Sequence, residues 1–260
     1  MTKVQDLFSL AGQCAVVFGG AGKIGVPMTE ALAEAGARVY VASPSTTVDR
    51  PAIAELAEAG LDVHAIAVDQ SDEAEVTSAL ASIEKNYKTP TILVNSGVER
   101  PMRKFLNDTI EAWDRSMTVN ARGLFITCRA FARVMAARGG GSIINVASIY
   151  GLVAPDPTIY EGSDIGTEPD YPYTKGGMIM FSKYLATYYA RSQVRVNCIA
   201  PGGLFNRQPE PFYSRYIAKV PLGRMAMPDD IKGATVFLAS EASSYMTGAV
   251  IPVDGGFTAI

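Results

Sequence analysis

Histidine is almost absent from this chain: 260 residues hold one, His64, beside a single tryptophan and three cysteines. His64 lies in a strand pattern with no partner nearby, so a packed strand residue is the plainer reading than a catalytic one. Cys14, Cys128 and Cys198 sit inside apolar runs without metal-like spacing, which argues against disulfides and zinc and for small buried hydrophobes. No metal site is expected. The net charge is −3 and no block of five like charges occurs. A nucleic-acid or membrane-surface partner would need a concentrated basic face, so the expected ligand is a small molecule. No apolar run approaches the roughly 18 residues that cross a bilayer, and the first residues, MTKVQDLFSLAGQ, lack a basic segment followed by an apolar core. A soluble, cytoplasmic protein is expected.

What is present is apolar bulk, 48% of the residues, enough for a large core in one domain spanning 1–260. Short runs rich in Val and Ile alternate with longer amphipathic stretches, the pattern of βαβ units and a parallel sheet. The predicted strands are 14–18, 38–42, 62–68, 91–94, 142–147, 194–199 and 249–253. Helices are predicted near 24–35, 52–59, 72–86, 109–137, 172–191 and 228–240. Strands that read as continuous apolar runs are covered on both faces, so the fold class is α/β with three layers. One zone, 152–170, is irregular: LVAPDPTIYEGSDIGTEPD holds five acids and no base. Loops of that length inside a compact domain are usually functional or mobile.

Directly after the first strand comes FGGAGKIG, residues 18–25. Glycines at a strand-to-helix turn let the backbone approach a pyrophosphate, whose charge the helix N-terminus favours. The second strand ends in VASPSTT, with no carboxylate placed to accept hydrogen bonds from an adenosine ribose. Ser43, Ser45, Thr46 and Thr47 suit a 2′-phosphate instead, with Lys23 or Arg50 supplying charge, which leans the cofactor from NAD toward NADP. A solvated turn, with the cofactor choice made elsewhere, stands beside that reading.

Tyr171 and Lys175, in YPYTKGG, are four apart and share a face if the segment is helical. A tyrosine is a poor base at neutral pH until a neighbouring cation favours its anion. One Tyr-x-x-x-Lys proves little in a chain with twelve tyrosines, so other residues must agree. Ser148 lies at the C-terminal end of a buried strand, the edge where open α/β sheets bind ligands. Asn120 lies within a long helix whose one side is apolar, where its amide needs a partner. Tyr173, two residues from Lys175, falls on another side of the helix.

These residues resemble the short-chain dehydrogenase/reductases in their single-domain branch. The resemblance runs from Leu7 to Thr258 through FGGAGKIG, Asp69, LVNSG, Asn120, Ser148, Tyr171 with Lys175, NCIAPGG and TGAVIPVDGG. It implies a Rossmann fold with a seven-stranded, mostly parallel sheet and an NAD(P)-dependent oxidoreductase interconverting a secondary alcohol and a ketone. By resemblance, Tyr171 is the general acid/base, Ser148 positions the substrate oxygen, Lys175 binds the nicotinamide ribose and favours the tyrosinate, and Asn120 holds a water of the proton relay. The cofactor cradle is expected from Gly19, Gly22, Lys23, Ile24, Gly25, Ser43, Asp69, Gln70, Asn95, Ser96, Gly97, Pro201, Gly202 and Leu204, with Tyr171 and Lys175.

The chain departs from the family in four places. Lys23 stands for the middle glycine of the loop, Phe18 for its opening threonine, and Asn95-Ser96-Gly97-Val98 for Asn-Asn-Ala-Gly. Ser148 and Tyr171 are 23 residues apart, farther than is usual, and the extra residues fall in the acidic loop. Relatives with such an insertion and a YEG like Tyr160-Glu161-Gly162 resemble dehydrogenases of sugars, polyols or sugar acids. Ser148, Tyr150, Tyr160, Glu161 and Asn206 are the substrate candidates; a surface lid or a subunit contact also accounts for the loop. Arg100, Arg103 and Lys104 follow the fourth strand and suit a carboxylate or phosphate, though a solvated face explains them equally. The resemblance also implies a homo-oligomer, dimer or tetramer, packed through the helices near 109–137 and 172–191. The rival reading is a nucleotide sensor or scaffold that does not turn over.

Overall fold

The computed structural model describes residues 2–44, 51–103 and 107–260. Strand β1 (Cys14–Phe18) is buried at every position, as suits the middle of a sheet covered on both faces. β2 (Arg38–Ser43), β3 (Val63–Ala67), β4 (Ile92–Asn95), β5 (Gly141–Val146), β6 (Val194–Pro201) and β7 (Val250–Val253) join it in the order β3-β2-β1-β4-β5-β6-β7. Every pairing is parallel. All seven predicted strands are present, with ends moved by at most two residues.

Alternate strand residues feed two apolar layers. On one face, Val16, Leu93, Ile143 and Val196 pack with residues of α4 (Glu73–Asn86), α6 (Leu124–Ala137) and α7 (Asp170–Tyr189). On the other, Val17, Val94, Ile144 and Ile199 meet α2 (Gly25–Glu34), α3 (Pro51–Glu58) and α9 (Asp229–Ala239). The result is a three-layer Rossmann fold. Among the described residues no helix is long and apolar enough to cross a membrane.

Three features were not expected. The helix predicted over 109–137 is α5 (Ile110–Met117), capped by Thr109, then a π-helical turn, Thr118–Gly123, then α6. Such turns insert one residue into an otherwise regular helix and cluster at functional sites; this one carries Asn120. A four-residue helix, α1 (Val4–Leu7), precedes β1. A short helix, α8 (Phe212–Ile217), also forms. With the 152–170 segment it builds a small separate core of Ile149, Tyr150, Ile159, Phe212, Tyr216, Val220 and Met225. His64 is exposed in the edge strand β3, within 2.7 Å of Asp62.

Candidate active site

The chain order runs one way along the sheet from β1 to β3 and the other way from β4 to β7, leaving a crevice at the C-terminal ends of β1 and β4. The glycine turn opens there. Gly19 takes φ +71, and a Cβ on it would come within 2.9 Å of Ser96 C; one on Gly25 would come within 2.6 Å of Gly20 Cα. The turn therefore needs bare backbone, and the amides at the start of α2 lie open to an anion, as a dinucleotide pyrophosphate requires. Lys23 stands exposed in this turn, which still closes through Gly22 N donating to Gly19 O at 2.9 Å. Gly25→Ala is expected to cost about 1–3 kcal/mol through forced overlap and to abolish cofactor binding. Thermal unfolding and a reduced-cofactor fluorescence titration check it.

The other cradle candidates take varied roles. Ser96 is fixed by its Oγ and its amide to Phe18 O, at 2.8 and 2.9 Å. Asp69 accepts from Ser71 N and Oγ at 2.8 and 2.7 Å. Gln70 crosses Gly97 and Gly123 to donate to Val119 O at 2.9 Å. The Asn95 side chain is buried and donates to Asn145 Oδ1 at 2.8 Å, so it is spent within the core. Ser43 is buried at the end of β2. Ile24, Pro201, Gly202 and Leu204 border the adjoining cleft. Ser45, Thr46, Thr47, Arg50 and Lys104 lie outside the described residues.

Tyr171 and Lys175 stand one turn apart in α7, and the Lys175 ammonium lies 5.6 Å from the Tyr171 ring centre. Lys175 is buried and donates to Val146 O, the last residue of β5, at 2.6 Å. Burial pushes its pKa down to about 8. The Arg100 guanidinium covers the same tyrosine ring at 4.5 Å. Two cationic side chains thus flank the Tyr171 ring. Ser148, just past β5, lines the cleft with Tyr171. Tyr173 points elsewhere: it is 64% exposed and packs on Trp113.

Asn120 uses its whole amide. Oδ1 accepts from Glu99 N at 2.8 Å, while Nδ2 donates to Glu99 O at 2.6 Å and to Ser116 Oγ at 3.0 Å. Ser116 Oγ in turn donates to Asp170 Oδ2 at 2.6 Å. Asp170, 1% exposed and next to Tyr171, thus ties the π-helical turn to the first turn of α7. Sequence reasoning missed Ser116 and Asp170, although Ser116 precedes Asn120 by the four residues that share a helix face.

The cleft above these groups has a volume of about 240 Å³. Its wall carries Tyr150, Tyr160 and Thr167, whose hydroxyls form one chain: Tyr150 to Tyr160 at 2.5 Å and Thr167 to Tyr160 at 2.8 Å. Burial raises the Tyr150 and Tyr160 phenols and pushes Tyr216 up to about 12, so these stay protonated and do not compete as bases. Glu161 and Asn206, expected at the substrate, do not reach the cleft wall. Glu161 is exposed beyond Tyr160, and Asn206 stays outside while Gln208 turns inward. Arg103 is exposed and folds back on the carbonyls of Arg100 and Met102. A larger hollow of about 590 Å³ beside α4, lined by Tyr40, Ile66 and Ser78, holds none of the catalytic candidates. The three cysteines are buried, and burial pushes Cys14 and Cys128 up to about 12 and Cys198 up to about 11, which makes them inert nucleophiles.

A nicotinamide-nucleotide crevice opening onto a tyrosine, lysine and serine defines a carbonyl or alcohol oxidoreductase, and comparison with known proteins agrees. The family model described as "Enoyl-(Acyl carrier protein) reductase" matches residues 19–258. Galactitol 2-dehydrogenase (L-tagatose-forming) of Cereibacter sphaeroides is 35% identical over 98% of both chains. Gluconate 5-dehydrogenase of Gluconobacter oxydans is 32% identical over 97% of both. Among solved structures, a gluconate 5-dehydrogenase from Burkholderia cenocepacia in complex with NADP and tartrate superposes with a TM-score of 0.87 at 29% identity, covering 99% of this chain and 100% of that one. A short-chain dehydrogenase from Leptospira borgpetersenii with bound NAD+ gives 0.85 at 33% identity, covering 99% and 96%. The chain belongs to the short-chain dehydrogenase/reductases. It is an NAD(P)-dependent oxidoreductase acting on CH–OH groups.

Proposed function

We propose that residues 1–260 act as one unit that interconverts a secondary alcohol and a ketone on a small sugar, polyol or sugar acid. The observation that carries this reading is the placing of Tyr171 and Ser148 in one cleft, with the Lys175 ammonium 5.6 Å from the tyrosine ring. Ser148 Oγ donates to the substrate oxygen and holds the carbinol over Tyr171. In oxidation the Tyr171 oxygen takes the hydroxyl proton; in reduction it returns it. Lys175 and Arg100 hold the charge that this leaves on the phenol. The cofactor, when bound, supplies the hydride acceptor or donor. Asn120 has no free amide atom, so its side chain braces the π-helical turn, and a relay water would be held by peptide groups of that turn.

The glycine turn, Ser96 and the Asp69–Gln70 corner are the groups we assign to the dinucleotide. The missing carboxylate at the end of β2 favours NADP, and the relative from Burkholderia cenocepacia binds NADP. Sugar-directed chemistry is supported by the galactitol and gluconate dehydrogenases among the relatives. Tyr173, Met180, Tyr184 and Tyr188 leave an exposed apolar stripe on α7, and Phe125 of α6, packed on Phe181, is exposed too, which supports a homo-oligomer built on these helices. An initial-rate screen of polyols and sugar acids with NAD+ and NADP+ tests the function: reduction of either cofactor by a secondary alcohol is the expected result. Tight cofactor binding with no turnover anywhere in the screen would instead mark a sensor.

A further inference from the structure

We infer that the substrate carries a carboxylate close to the carbon that reacts, and that Arg100 recognises it. This rests on the oxidoreductase reading of the same cleft. Among the described side chains that line the cleft, Arg100 is the one ionic residue, and no carboxylate is among them. A polyol brings several hydroxyl donors, and a site built for them must offer free acceptors. On this wall the hydroxyls and the amide are already fixed by bonds to one another or to the backbone. The hydroxyls of Tyr150, Tyr160 and Thr167 are tied into one chain. Gln208 gives its amide N–H to Leu204 O and takes one from Asn206 N. Tyr216 accepts from Gly203 N.

Arg100, by contrast, is held ready. One N–H donates to Gly166 O at 3.0 Å, and the guanidinium plane is anchored over the Tyr171 ring. None of the ion pairs among the described residues involves it. A guanidinium has five N–H donors in a fork that fits a carboxylate, so donors remain. Because its carbon lies 4.5 Å from the Tyr171 ring centre, a bound carboxylate sits within a few bonds of the proton-accepting oxygen. The cleft volume of about 240 Å³ is small, which favours a compact hydroxy acid over a phosphorylated sugar.

The test uses matched pairs, hexonates against hexitols of the same stereochemistry and short 2- and 3-hydroxy acids against their primary amides, with hexose 6-phosphates as a third arm. Initial rates and calorimetric binding to the cofactor-saturated enzyme are measured for the wild type, Arg100→Lys and Arg100→Met. Acids are expected to exceed their uncharged partners by about 10- to 100-fold in kcat/KM and in affinity. Arg100→Met should bring that ratio near one, with Arg100→Lys between. A wild-type ratio near one, no measurable binding of any acid, or a preference for the phosphates would overturn the assignment. So would an Arg100→Met variant that slows acids and neutral partners alike, since Arg100 would then serve the phenol only. Brisk oxidation of neutral alcohols alone sinks this inference and leaves the oxidoreductase standing. Calorimetry reads the carboxylate site without turnover, so a failed oxidoreductase reading is told apart.

Discussion

Tyr171→Phe is expected to lower kcat/KM by about 10²–10⁴-fold, the range contributed by a positioned acid/base group. At 1.36 kcal/mol per tenfold this is about 3–5 kcal/mol of transition-state stabilisation. The substitution removes one oxygen and keeps the ring that Arg100 covers and that packs beside the small core of Ile149, Phe212 and Tyr216. Cofactor affinity and melting temperature should therefore change little, which separates lost chemistry from lost structure. Tyr173→Phe is the control: that ring is 64% exposed and packs on Trp113 outside the cleft, so its rate should match the wild type. Turnover that survives Tyr171→Phe would show that the proton goes elsewhere.

The parts of the molecule that could be read from sequence are those set by local rules. β1 announces itself as an unbroken apolar run, and β4, β5 and β6 as short runs rich in Val and Ile, as strands buried on both faces do. Tyr171 and Lys175 stand out because helix geometry alone puts residues four apart on one face. The π-helical turn does not show, since the apolar residues of 109–137 run on past it and no residue type in TVNARG marks a wider turn. α8 hides for a different reason: its six residues follow the prolines of QPEPF, which read as a loop, and tertiary packing against Ile159 and Tyr150 holds it together.

The cleft wall was the least legible part. Glu161 and Asn206 have chemistry that suits a sugar, yet whether a loop residue turns in or out depends on contacts made far away in sequence. Arg215 holds the Glu161 carbonyl from α8, and Gln208 caps Asn206 N while filling the inward position itself. The Asp170–Ser116–Asn120 chain is illegible for the same reason, because it bridges 54 residues through a single hydroxyl.

Lys175→Met should make the free protein more stable and nearly inactive. A buried ammonium is costly: a pKa drawn from 10.5 down to about 8 by desolvation corresponds to about 3 kcal/mol of lost stability at neutral pH. Methionine fills the same 4% exposed channel without a charge, at the expense of the Nζ bond to Val146 O, worth about 1 kcal/mol. The balance is about 2 kcal/mol in favour of the variant, roughly 4–8 °C in melting temperature for a chain of this size. The pH dependence has a definite sign. Below about pH 8 both native and unfolded wild type carry the proton, and the variant's advantage is full. As pH rises from about 8 to 10.5 the native state sheds its proton before the unfolded chain does, wild-type stability rises, and the advantage fades. Thermal unfolding of both proteins across that window checks it; an advantage that grew with pH would mean Lys175 is not held against its charge. The rate should move oppositely, falling about 10²–10³-fold, because a fixed cation beside developing negative charge is lost. A residue that weakens the fold where it stands, and is needed there, is what a catalytic lysine should be.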